Sequence, residues 1–76
     1  MADIVEIKTR IKDGEILEFT NDDGDMMELS HKKVLGGGIE FIVMLNCKIV
    51  KMTKTFKPFK DKVEFLIATR ELELCL

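Results

Sequence analysis

The run IEFIVMLNCKIVKMTKTF, residues 39 to 56, holds no glycine or proline and sets apolar residues on odd positions from Ile39 to Ile49. Beyond that point Val50, Met52 and Phe56 carry the apolar character on even positions. Alternation of this kind demands an extended chain with one buried face. A change of face within the run requires either a bulge that bends one strand or a turn near Leu45, Asn46 and Cys47 that makes two strands. Ile42 and Met44 add apolar side chains to the second face, which marks the strand over 39 to 46 as a central one. Pro58 ends the run, because proline cannot donate to a ladder.

The N-terminal part reads as strands too. In DIVEIKTRI, residues 3 to 11, Val5, Ile7, Thr9 and Ile11 share one face while Glu6, Lys8 and Arg10 share the other. Taking Lys12, Asp13 and Gly14 as a hairpin loop pairs Thr9 with Leu17 and Ile7 with Phe19, which keeps the two inner faces together. A slip of one residue would exchange the faces. By the same logic Asp22, Asp23 and Gly24 form a second loop, which sets Phe19 opposite Met27 and Leu17 opposite Leu29. In both loops the glycine takes the left-handed position, where a residue with a Cβ is penalised. The triplet Gly36, Gly37, Gly38 reads as a flexible connector.

The C-terminal stretch DKVEFLIATRELELCL supports two readings. Asp61 followed by Glu64 resembles a helix capping box, whereas Val63, Phe65, Ile67 and Thr69 alternate as a strand does. As a helix its apolar residues would point in nearly every direction, so strand is preferred. A break falls at Ala68 to Arg70, and Leu72, Leu74 and Leu76 share one face after it. The expected fold is therefore all-β: one small domain over residues 1 to 76, an antiparallel meander closing into a five- or six-stranded barrel or roll of the SH3-like or OB-like kind, with the C-terminal segment a strand or short helix. Closure would remove the exposed edges of an open sheet.

Chemistry is scarce. The chain has one histidine, one serine and no tyrosine or tryptophan, and His31 has no neighbouring nucleophile signature, so no catalytic residue is assigned and an enzyme is not expected. The acidic loop NDDGDMME fails as a calcium loop, since with Gly24 at the sixth position it would open on Phe19 and close on Ser30. The glycine triplet lacks the Gly-Lys-Ser/Thr ending of a phosphate loop. Cys47 and Cys75 show no metal-site spacing and read as reduced, small apolar residues. No metal or cofactor is expected. No apolar run reaches membrane-spanning length, and the default expectation is a cytoplasmic protein without a membrane partner.

Charge is the informative feature. The net charge of −2 conceals −6 over residues 1 to 30, +6 over 31 to 62 and −2 over the tail. Such segregation supplies complementary steering surfaces without a catalytic constellation. The leading expectation is a non-enzymatic protein-interaction module, a small inhibitor or adaptor, including one of viral origin. It would dock through Glu18, Asp22, Asp23, Asp25 and Glu28 on one side or Lys51, Lys54, Lys57 and Lys60 on the other. Opposite charges and five methionines also suit a homodimer.

The alternative is single-stranded nucleic-acid binding through KIVKMTKTFKPFKDK, residues 48 to 62. In an extended strand, lysines spaced by three divide between the faces, so only Lys54, Lys57, Lys60 and Lys62 could converge, with Phe56 or Phe59 stacking a base. Against it, only two arginines are present to make forked phosphate contacts.

Overall fold

The computed structural model describes residues 4 to 75. Helix α1 spans Ile4–Lys12, strands β1 to β4 span Leu17–Thr20, Met26–Lys33, Ile39–Leu45 and Lys48–Thr53, helix α2 spans Phe56–Arg70, and β5 is Glu73–Leu74. The strands form one antiparallel sheet in the order β4-β3-β2-β1-β5. Both helices contribute to a single core on one face of that sheet. The sheet is open: β-rich as expected, but not a barrel.

Three sequence expectations are corrected. The segment expected as a first strand over 3 to 11 is helix α1. Its alternation hides a second pattern, since Ile4, Ile7 and Ile11 recur at helical spacing, and Ile7 and Ile11 are buried against the sheet. Gly14 does adopt positive φ, at 97°, but it closes a helix rather than a hairpin. The Gly14 N–H donates to the Ile11 carbonyl and the Glu15 N–H to the Arg10 carbonyl, the paired bonds of a Schellman helix end.

The preferred C-terminal strand is helix α2. It begins at Phe56, five residues ahead of the Asp61 start inferred from the sequence. From Phe56 the residues Phe59, Val63 and Leu66 fall on one buried stripe, with Phe56 and Ile67 packed beside it. Pro58 stands in the first turn of α2, where its missing N–H has no helical partner to lose, and β4 has already ended at Thr53. After Glu71, at φ 53°, only β5 remains as strand. Asp3 and Leu76, included in the two expected strands, lie outside the described residues.

The third correction concerns closure. With α1 and α2 filling the inner face, the apolar side chains of the sheet are covered without joining β4 to β5. The register expected for β1 and β2 is observed, Leu17 opposite Leu29 and Phe19 opposite Met27. Strand β3 is central, flanked by β2 and β4. The change of face in residues 39 to 56 comes from a turn at Asn46 and Cys47, both at positive φ, together with a register shift that leaves Val50 unpaired between Ile49 and Lys51.

The core comprises Ile7 and Ile11 from α1, alternate residues Leu17, Phe19, Met27, Leu29, Phe41 and Val43 from the sheet, Phe59, Val63 and Leu66 from α2, and Leu72. Phe41, Phe56 and Phe59 form an aromatic cluster with ring centroids 4.9 to 5.8 Å apart. Among the described residues no buried side-chain polar atom lacks a hydrogen-bond partner, as a well-formed apolar core requires.

Candidate interaction surfaces

Because residues alternate across a strand, burying the odd residues of β1 to β3 turns the even ones to the opposite face. Neither α1 nor α2 covers that face. One row across it runs Glu18, Glu28, Met44, Ile49, and the next runs Ser30, Ile42, Met52. Lys32 and Glu40 form the rim, paired at 3.5 Å. Ile49 is 55% exposed and Met52 37%, and both lie on β4, an edge strand. The face is thus divided into an apolar half at β3 and β4 and an acidic half at β1 and β2.

Glu18 and Glu28 stand directly opposite one another. Like charges in that position cost stability. This pair is therefore a local departure from what folding alone favours.

The remaining acidic residues have separate roles. Asp22 and Asp23 are exposed at the β1–β2 tip. Asp25 is occupied inside the molecule. It accepts hydrogen bonds from the side chains of Asn46 at 2.9 Å and Asn21 at 3.1 Å, and it pairs with Arg70 at 3.2 Å. These bonds, the one from Asn46 first, hold its carboxyl below the usual carboxylate range. The Asn21 side-chain oxygen accepts from the Asp23 and Asp25 N–H groups, and its amide donates to the Arg70 carbonyl. Asp25 thus joins the two hairpin tips to the end of α2.

The lysines are distributed differently from the expected compact patch. Lys57 and Lys60 lie on α2, one turn from Asp61 and Glu64, at 3.5 and 3.7 Å. Lys62 sits 5.7 Å over the Phe65 ring. Lys51 lines a shallow groove with Val50, Pro58, Asp61, Lys62 and Phe65. Phe59 is fully buried and offers no face to a base. Phe56 is half-buried, with the Lys8 ammonium 4.6 Å from its ring centre.

Lys54 lines a different cleft from Lys51 and Lys62, together with Lys8 and Lys12 of α1. The two α1 lysines were missed because a strand reading places Lys8 on a wet face unrelated to Lys54. Their helical spacing of four was the available signal.

Among the described residues no group of histidine, cysteine and carboxylate side chains could hold a metal ion, and no helix is long and apolar enough to cross a membrane. Cys47 and Cys75 are free and exposed. No protein-family model, curated protein or solved structure matches this chain.

Proposed function

We propose that the chain is a non-enzymatic protein-docking module that works through the uncovered face of its sheet. The observation that carries this reading is the row Glu18, Glu28, Met44, Ile49, which sets an unfavourable carboxylate pair beside half-buried Met44 and exposed Ile49. The complementary partner is a protein whose apolar patch is bordered by lysine or arginine. Such a partner would cover Ile42, Met44, Ile49 and Met52 and would offset the repulsion between the glutamates. An inhibitor or adaptor of a larger protein fits this chemistry.

The test exploits the glutamate pair. Glu28→Lys places opposite charges across the β1–β2 ladder, so it should fold at least as stably as the parent while repelling a cationic partner. Ile49→Asp removes the apolar half. A partner captured by cross-linking and then purified should bind the parent protein and lose affinity for both variants by about tenfold or more. Retention by both variants would remove the face from consideration. A dimer seen by light scattering and dissolved by Ile49→Asp would identify the partner as a second copy.

A further inference from the structure

A second surface, independent of the sheet face, is the cleft between α1, the β2–β3 connection and the β4–α2 junction. It has a volume of about 360 Å³. Lys8 and Lys12 reach it from α1 and Lys54 from the β4–α2 junction, and among the described residues the lining contains no carboxylate. Among the described residues none of these three lysines takes part in an ion pair. The groove on the far side of α2 differs, since Asp61 accompanies its lysines.

The lining also includes Gly37 and Gly38 of the β2–β3 connection. Both have positive φ, and the space where a side chain would begin is open. A ligand can therefore approach the backbone there. Phe41 and Phe56 also line the cleft, and the Lys8 ammonium lies 4.6 Å from the Phe56 ring centre, beside an apolar surface where a charge pair is less screened than in open water.

We infer that this cleft binds a compact oligophosphate, such as pyrophosphate or the phosphate chain of a nucleotide. Three lysines without an ion-pair partner among the described residues line this one cleft, and an anion carrying several charges at close spacing is the complementary ligand. A longer polyanion is the poorer fit. Beyond Lys54 the next two lysines along α2, Lys57 and Lys60, are already within 4 Å of Asp61 and Glu64, and the Phe56 ring has Lys8 over it.

The test is a titration of the full, isotope-labelled chain with sodium pyrophosphate and tripolyphosphate at low salt, followed by amide chemical shifts. Saturable shifts should be confined to Lys8, Lys12, residues 34 to 38 and Lys54. The double variant Lys8→Gln/Lys54→Gln should weaken binding by about tenfold or more, with an otherwise unchanged spectrum showing that it remains folded. Lys51→Gln/Lys62→Gln should bind as the parent does. The inference is overturned by an absence of saturable shifts at about 10 mM, a concentration well above any useful affinity. Equal weakening in the two double variants would overturn it too. So would tighter binding of a short oligothymidylate at the same residues, which would make the cleft a nucleic-acid site.

Discussion

Glu18 faces Glu28 directly across the β1–β2 ladder, on the face of the sheet opposite α1 and α2. Removing one charge relieves the repulsion and leaves the shape nearly unchanged. Glu28→Gln should therefore raise the stability of the isolated protein by about 0.2 to 1 kcal/mol. Urea unfolding at low ionic strength measures the difference, and added salt should shrink it. A destabilised variant would show that Glu28 is held by favourable contacts, which would weaken the docking proposal.

Phe59 packs against both Phe41 and Phe56 and has no exposed surface. Truncation to alanine removes a buried ring that neighbouring helices cannot fully replace. Phe59→Ala should cost about 3 to 5 kcal/mol, a large share of the stability of so short a chain. Thermal unfolding followed by circular dichroism reads the loss. A near-neutral effect would contradict the placement of α2 on the sheet.

Cys47 adopts φ 69° in the β3–β4 turn, after Asn46 at φ 52°. Two consecutive residues at positive φ define a turn that favours Asn-Gly. A side chain in the left-handed region costs roughly 1 to 2 kcal/mol, partly offset by the added freedom of glycine when unfolded. Cys47→Gly should thus stabilise the protein by about 1 kcal/mol. Comparison of urea midpoints in reducing buffer checks this without interference from thiol oxidation.

Asp25 is held below the ordinary carboxylate range chiefly by the Asn46 side chain, then by Asn21 and Arg70. A carboxyl with a depressed folded pKa binds fewer protons folded than unfolded. Its contribution is present above the unfolded pKa and is lost as pH falls through the folded value. Asp25→Asn should consequently be less stable than the parent at neutral pH, and the gap should narrow progressively below about pH 4. Denaturation curves of both proteins across acid pH give the comparison. A constant gap would show that charge at Asp25 does not matter.

The parts of the fold readable in sequence were those set by local constraints. The β1–β2 register follows from matching Leu17 with Leu29 and Phe19 with Met27, because any one-residue slip would expose them. The change of apolar parity along residues 39 to 56 calls for a turn or a bulge, and the structure has both, at Asn46 and Cys47 and at Val50. Helix α1 was not readable in this way, since Ile7 and Ile11 satisfy period two and period 3.6 alike, and only the sheet beneath them selects between the two. Likewise α2 depends on a start at Phe56, which the capping-box signal at Asp61 obscured.

For the candidate surfaces the division is similar. The sequence by itself determined the charge segregation, the absence of a recognisable catalytic motif and the alternation that gives the strands two unlike faces. Tertiary structure decided which face is covered, because two helices on one side leave Ile42, Met44, Ile49 and Met52 on the other. It also decided which lysines meet. Lys57 and Lys60 became partners of carboxylates one helical turn away, while Lys8, Lys12 and Lys54 were gathered from distant parts of the chain into one cleft. Proximity of that kind is a property of how elements pack, and spacing along the chain does not encode it.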